Sequence, residues 1–287
     1  MKIKFIINPI SGTGKQKGIE NLIAKNLSNF DYTIVYTKES GSATEISRKA
    51  IEDKIDIVVA VGGDGTVNEC AKAVIGTDTA LGVIPCGSGN GFAYHIGMEK
   101  NIERSIKQFN NCSITSIDSC TANGIPFVNV SGIGFDAHIS HLFANLTNRG
   151  FSNYIKLIYK ELKYKARNYT IDYDGKTEQV NAILISFANA SQYGNNFQIS
   201  PHAKTDDGLI DFVIVKDFPR WKIPALLLKI AKGKAHLSKY IRIIQTDKMS
   251  ITTNEKVIHL DGEPYSLSSP IIIQIHPLTL KIFSPNG

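Results

Sequence analysis

The segment VVAVGGDGTVNECAKAV, Val58 to Val74, decides the fold. Its first four residues are apolar or small and read as a buried strand, and the helical pattern VNECAKAVI begins at Val67. Between them stand Gly62-Gly63-Asp64-Gly65-Thr66. Glycines at such a junction let another group come close to the backbone. The start of the helix offers N–H groups and a positive dipole end, which suit phosphate. A carboxylate in that place repels phosphate unless it binds metal or takes a proton. Thr66 has a local explanation, because with Glu69 it spells a T-x-x-E capping box worth about 1 kcal/mol to the helix. Asp64 has no such explanation.

Outward from this segment, the first ~115 residues alternate strand and helix. KIKFIIN, YTIVYT (Tyr32–Thr37), DIVVAV and ALGVIP read as strands. Helices are predicted after Gly14, over Ala43–Ile51 and over VNECAKAVI. Short apolar runs separated by helices indicate a parallel sheet covered on both faces. After Ser113 strand-like pieces follow one another, from ITSIDSCTANG to PIIIQIH and LTLKIFS. Asn123-Gly124, Asp174-Gly175 and Asp261-Gly262 are hairpin turn signals between such pieces. Helical inserts are predicted near 139–166 and 218–238. The expected architecture is an α/β domain over 1–115 followed by a β-sandwich domain over 116–287, with a return of the last few residues to the first domain left open.

The chain has 287 residues, 43% apolar and 20% charged, enough for packed cores and too few charges for a disordered chain. A formal charge of +6 favours an anionic partner without choosing among nucleotide, lipid and nucleic acid. Cys70, Cys86, Cys112 and Cys120 form no CxxC pair and read as reduced, buried or semi-buried thiols. The N-terminal apolar run is too short for a signal peptide, and no run is long enough to cross a bilayer, so a cytoplasmic protein is expected.

Two nucleotide motifs fail. SGTGKQKG has Gln16 after Lys15 where a Walker A loop needs Ser or Thr, and GGDGTVN lacks the third glycine of a dinucleotide fingerprint. What remains is three loops beyond the carboxyl ends of predicted parallel strands, where open α/β sheets bind ligands. They are Asn8-Pro9-Ile10-Ser11-Gly12, Gly62 to Thr66, and Pro85-Cys86-Gly87-Ser88-Gly89-Asn90.

INPISGTGK, VGGDGTVNE, LGVIPCGSGN, DDGLID and LDGE stand in the order and spacing of the diacylglycerol kinase/sphingosine kinase superfamily, and the chain most resembles its soluble bacterial lipid-kinase branch. The resemblance runs from Asn8 to Glu263. It implies a phosphofructokinase-like N-terminal domain, a C-terminal β-sandwich that holds the lipid, and ATP and Mg²⁺ as cofactors. Carried over by motif, Asn8, Ser11, Gly12, Gly62, Gly63, Gly65, Thr66, Ser88 and Asn90 would contact nucleotide or phosphate. Asp64 would be the base for the lipid hydroxyl, or orient it, and Glu263 would act near the metal-bound phosphates. Asp207 and the Leu209 carbonyl would hold a structural Mg²⁺, against the plain alternative of an acidic turn. Asp136 would meet the lipid's polar head, against that of a solvated loop acid. Arg149 would reach the triphosphate, against that of a surface arginine. Ser88 and Gly91 depart from the Gly-Thr-x-Asn-Asp common in bacterial members, toward sphingosine and ceramide kinases, which leaves the lipid open.

A lipid kinase without a spanning segment works at a bilayer surface. YIKLIYKELKYKAR carries five Lys or Arg against one Glu, and FPRWKIPALLLKIAKGKAHLSKY carries six with Trp221 and three leucines. Peripheral contact with an anionic membrane is therefore expected of one or other segment, against the alternative of amphipathic helices packed on the sandwich. The sequence reading is an ATP-dependent kinase of a diacylglycerol-like lipid, with a sphingoid base or ceramide also open and a homodimer compatible with it. NAD kinase, which shares the Gly-Gly-Asp-Gly-Thr loop, and a non-catalytic nucleotide-binding protein are the alternatives. Nucleic acid is not expected, because acids at 64 and 263 would be costly beside its backbone.

Overall fold

The structure, a computed structural model, describes residues 1–12, 18–27, 30–144, 146 and 151–285. It divides into two compact units, Met1–Ile117 together with the residues from Leu278 onward, and Asp118–Pro277.

The first unit contains β1 (Lys2–Ile7), α1 (Ile19–Asn26), β2 (Asp31–Tyr36), α2 (Ser42–Glu52), β3 (Ile57–Gly62), α3 (Asp64–Val74), β4 (Ala80–Pro85), α4 (Gly91–His95) and α5 (Ile102–Gln108). The strands are parallel in the order β4-β3-β1-β2, with Ile57 opposite Ala80, Ile3 opposite Ile57 and Lys2 opposite Asp31. Every residue of β3 and β4 is buried. That is why these strands are apolar throughout: helices cover both faces, so neither face needs a polar residue.

Helix α3 starts at Asp64, three residues before the predicted start. Gly63 is the N-cap in extended conformation, and the first helical bond runs from the Val67 N–H to the Gly63 carbonyl at 3.1 Å. The expected capping box is absent, because Thr66 already lies inside the first turn. Glu69 instead accepts the N–H groups of Gly41 and Ala43, at 2.9 and 3.0 Å, and so caps the neighbouring α2. A carboxylate at that helix start is favoured by the dipole as well as by the hydrogen bonds.

The second unit contains β6 (Ile125–Phe127), β7 (Val130–Gly134), α6 (Phe135–Ala144), α7 (Phe151–Lys160), β8 (Arg167–Tyr173), β9 (Lys176–Ala188), β10 (Ile210–Lys216), α8 (Ile223–Ala231), β11 (Ile241–Thr246), β12 (Lys248–Thr252), β13 (Val257–Leu260) and β14 (Glu263–Ser266). Strands β5 (Ser113–Ala122) and β15 (Ile271–Ser284) run from one unit into the other. Within the second unit the order is β14-β13-β7-β9-β8-β12-β15, with β10 and β11 attached to β9 and β5–β6 to β15. Phe127, Phe187, Phe212, Met249 and Leu260 lie in the core these strands enclose. This is the expected β-sandwich.

All three predicted hairpin turns form, each with two consecutive residues at positive φ: Asn123 and Gly124 at 47° and 82°, Asp174 and Gly175 at 48° and 71°, Asp261 and Gly262 at 50° and 89°. They join Ala122 to Ile125, Tyr173 to Lys176 and Leu260 to Glu263 as cross-strand pairs. Positive φ at both central positions matches the twist of the flanking strands, which is why Asn-Gly and Asp-Gly recur there. PIIIQIH and LTLKIFS, read as two strands, form the single β15. It pairs with β12 from Ile271 to Gln274, passes Leu278 at φ 53°, and then lies parallel to β4 with Ile282 opposite Leu81.

Candidate functional site

The three loops of the first unit are knitted to one another. At the end of β1 the Asn8 side chain donates to Thr66 Oγ1 at 3.1 Å, and its carbonyl oxygen accepts from the Ile10 N–H at 3.1 Å. The Asp64 carboxylate accepts the Asn90 N–H at 2.8 Å, which ties the start of α3 to the loop after β4. Asn90 adopts a left-handed conformation and closes its own loop, accepting from the Gly87 N–H at 2.9 Å and donating to the Gly87 carbonyl at 2.8 Å.

The glycines follow from this packing. A Cβ on Gly12 would stand 2.0 Å from the Cys86 carbonyl oxygen, and one on Gly87 would stand 2.4 Å from the Gly63 Cα. A Cβ on Gly62 would meet Thr66 Oγ1 at 2.4 Å. The close neighbour that the sequence required is therefore, for Gly12 and Gly87, another loop of the same unit, and for Gly62 the Thr66 side chain of its own loop. Ser11 is buried beside Gly63, Gly65 is half-buried in the first turn of α3, and Ser88 is exposed at the tip of its loop. Asn8, Ser11, Gly12, Gly62, Gly63, Asp64, Gly65, Thr66, Ser88 and Asn90 thus converge on one edge of one sheet. Arg149 lies outside the described residues. Tyr94, which sequence reasoning passed over, accepts the Asn90 side-chain N–H at 3.0 Å. Burial, with the nearby Asp64 carboxylate, holds its phenol above the ordinary tyrosine range.

Asp136 belongs to the second unit and is buried in the first turn of α6, so the solvated loop acid is ruled out. Its Oδ1 accepts the Ala137 N–H at 2.8 Å. Its Oδ2 accepts Ser186 Oγ at 3.0 Å and the Tyr193 hydroxyl at 3.1 Å, and faces His259 Nε2 at 3.2 Å. The Gly262 N–H donates to His259 Nδ1 at 3.2 Å, which makes Nδ1 the acceptor nitrogen of the ring. Gly262 also accepts Ser140 Oγ from α6 at 2.6 Å. The same hairpin carries Glu263, half-buried at the start of β14. Asp261 fixes the turn by accepting the N–H groups of Val128 and Asn129, both at 2.9 Å.

Beside Asp136 opens an apolar pocket with about 830 Å³ of empty space, mouth included. Phe135, Ile139, Ile158, Leu184, Phe197, Val215, Phe218, Leu226 and Ile230 line it, with Tyr193, Tyr164, Glu161 and Arg220 as its polar members. The period-two alternation of β10 explains one wall: Phe212 and Ile214 face the sandwich core while Val213 and Val215 face outward under α8. The apolar faces of the two predicted inserts supply the rest, so one face of each packs on the sandwich. Arg220 locks them, donating to the carbonyls of Leu162 and Tyr164 at 3.0 and 2.7 Å. Ser186, Tyr193 and His259 left no local signal in the sequence, since strands and loops far apart in the chain bring them to Asp136.

Asp207 sits exposed on a turn, accepting the Leu209 N–H at 3.1 Å, while Gly208 donates to Asp118 at 2.8 Å. Among the described residues no group of three or more His, Cys, Asp or Glu side chains converges as a metal site. An ion at this turn would rest on Asp207, backbone carbonyls and water. Nor is any described helix long and apolar enough to cross a membrane.

The two units match two family models in the same order. Residues 2–122 match the diacylglycerol kinase catalytic domain, and residues 129–284 match the YegS C-terminal NAD kinase beta sandwich-like domain. The chain belongs to the diacylglycerol kinase catalytic-domain family. It is a phosphotransferase with an alcohol acceptor, of the lipid-kinase class. The diacylglycerol kinase of Mycobacterium tuberculosis (strain ATCC 25618 / H37Rv) is 27% identical over 99% of this chain and 95% of that one. The diacylglycerol kinase of Bacillus subtilis (strain 168) is 24% identical over 91% and 89%. A solved structure from Bacillus anthracis str. Sterne, provisionally named a diacylglycerol kinase, is 28% identical with a TM-score of 0.81, covering 99% of this chain and 96% of that one.

Proposed function

We propose that the chain transfers the γ-phosphoryl group of ATP, with Mg²⁺, to the primary hydroxyl of a diacylglycerol-like lipid drawn from a membrane surface. The observation that carries this reading is the pocket of the second unit: an apolar cavity with a buried, hydrogen-bonded carboxylate in its wall. Such a cavity suits a hydrocarbon chain that ends in a hydroxylic head.

The first unit fits a nucleotide. Its three loops bring glycine backbone and the start of α3 to one place, and oriented N–H groups at a helix start favour phosphate oxygens. Among the described residues the Asp64 carboxylate, the hydroxyls of Ser11, Thr66 and Ser88 and the loop carbonyls offer the oxygen donors that a hard ion such as Mg²⁺ requires. When bound, ATP and Mg²⁺ supply the phosphoryl group and the countercharge that its transfer needs. Asp64, steadied by the Asn90 N–H, takes the proton of the acceptor hydroxyl as that oxygen bonds to phosphorus and the bond to the departing diphosphate breaks. Thr66, held by Asn8, and the backbone of Gly62, Gly63 and Gly65 position the phosphates, with Ser11, Gly12, Ser88 and Asn90 around them. Glu263 serves the metal-bound phosphates, Asp136 orients the lipid head, and Asp207 steadies its turn by holding Mg²⁺ with the Leu209 carbonyl. Taking its substrate from a bilayer, the protein works in the cytoplasm in peripheral contact with an anionic membrane.

The test is transfer of labelled phosphate from ATP and Mg²⁺ to a panel of lipids in detergent micelles, with NAD as a parallel acceptor. Asp64→Asn should keep the fold and nucleotide binding while turnover falls by at least about 100-fold, the lower range for a lost general base. Label in NAD and in no lipid would move the chain to the NAD kinase reading, which the name of the sandwich family keeps in the experiment. Unchanged turnover in the variant would remove Asp64 from the mechanism.

A further inference from the structure

Helix α8 has two apolar faces. Leu226 and Ile230 on the inner one wall the pocket, whereas Pro224, Ala225 and Leu228 are exposed on the outer one, and Trp221 stands in the 3₁₀ turn Arg220–Lys222 that leads into the helix. Trp221 is 73% exposed and Leu228 56%, and Leu237 in the turn beyond the helix is 59% exposed. A helix that only packs on a sandwich has no use for an outer stripe of this kind. The charge along the stripe is basic: residues 218–246 contain no Asp or Glu, Lys222, Lys229, Lys232 and Lys234 lie within them, and Asp217 at the edge is paired with Arg220 at 2.9 Å. Lys222 Nζ sits 4.0 Å from the centroid of the Trp221 ring. The other basic insert differs, since Glu161 interrupts its lysines and Tyr159 is the one large apolar side chain that α7 exposes among those described.

We infer that the outer face of α8, together with the turns that flank it from Trp221 to Leu237, is the element that seats the protein on an anionic bilayer. This rests on the lipid-kinase reading only for the source of the substrate. Exposed apolar groups ringed by lysine match the interfacial layer of a membrane, where tryptophan is favoured and each lysine gains from the anionic surface. A protein partner would have to present acidic groups around an apolar groove to match the same face. The helix that meets the bilayer with one face therefore walls the lipid pocket with the other.

Trp221 is the only tryptophan of the chain, so its emission reports on this face alone. On vesicles of phosphatidylcholine with phosphatidylglycerol the emission should shift to the blue and be quenched by brominated acyl chains. Leu228→Glu should weaken partitioning about tenfold. Replacing Lys222, Lys232 and Lys234 by alanine should weaken it about 100-fold, at about fivefold per lysine. Binding that leaves Trp221 unshifted, or that survives Leu228→Glu, would overturn the inference and give the face to a protein partner or to no partner. Phosphorylation of lipid in micelles is read separately. Its loss in the native protein would sink the kinase reading and leave the vesicle result standing, while an active kinase that ignores vesicles would sink only the inference.

Discussion

Asp261→Ala should loosen the β13–β14 hairpin more than any surface change in the second unit. The carboxylate is buried, and each of its oxygens accepts one backbone N–H, from Val128 and Asn129, which are themselves buried. Alanine leaves both donors without an acceptor or access to water, at ~1.5 kcal/mol each. It also places a residue with no side-chain oxygen at φ 50°, a left-handed conformation that costs ~1 kcal/mol more. The sum is about 4 kcal/mol. Asp261→Asn keeps the turn preference and one acceptor, so it should cost about 2 kcal/mol. Hydrogen exchange of the peptide spanning Val128 and Asn129 reads this locally, free of the assumption that the whole chain unfolds in one step. At 1.4 kcal/mol per tenfold, the alanine variant should exchange there about 1000-fold faster and the asparagine variant about 30-fold faster. Because the hairpin carries His259 and Glu263, lipid turnover should fall alongside. An alanine variant whose exchange stays within about tenfold of the native protein would refute the argument that these two bonds hold the turn.

The pocket should be blocked by Leu226→Trp: lipid phosphorylation falls steeply while nucleotide binding to the first unit, measured by calorimetry, stays unchanged. Burial raises the carboxyl of Asp211 above its ordinary value. The native state thus holds that proton more tightly than the unfolded chain, and stability declines as pH rises from the ordinary carboxylate value through the raised one. Denaturant midpoints across this interval should show the decline in the native protein and a shallower one in Asp211→Asn. Burial pushes the thiols of Cys70 and Cys112 up to about 12, so iodoacetamide at pH 8 should label neither at an appreciable rate until denaturant is added.

The first unit was legible because its signals are local. A run such as Ile57–Gly62 followed by Gly63-Asp64-Gly65 states strand, turn and helix within a dozen residues, and the Asn-Gly and Asp-Gly turns state their hairpins in two. Motifs carried the loop residues of the site for the same reason. What escaped depends on contacts between distant parts of the chain. Glu69 fits a capping box by spacing, yet its carboxylate finds better donors on α2, twenty-six residues back. Asp136 could be named as an acid but not as a buried one, since Ser186, Tyr193 and His259 reach it from β9, a loop and β13. The pocket was likewise hidden: leucines that look like a membrane stripe in IPALLLKIA divide in space, Leu226 lining the cavity and Leu228 facing outward.

The course of β15 bears on how the protein is made. Leu81 on β4 faces Ile282, the Gly76 N–H is taken by the Thr279 carbonyl at 2.8 Å, and Phe283 packs on Phe109 with ring centroids 5.5 Å apart. A ribosome delivers these partners some 200 residues after β4 has emerged. Until then the edge of the first sheet is an open ladder of N–H and C=O groups, the kind of edge that pairs with the wrong chain. A fragment ending at Ile117 should therefore aggregate unless residues 278–285 are supplied as a peptide. For the same reason, substitutions that break β15 beyond Leu278 should damage the first unit before the second.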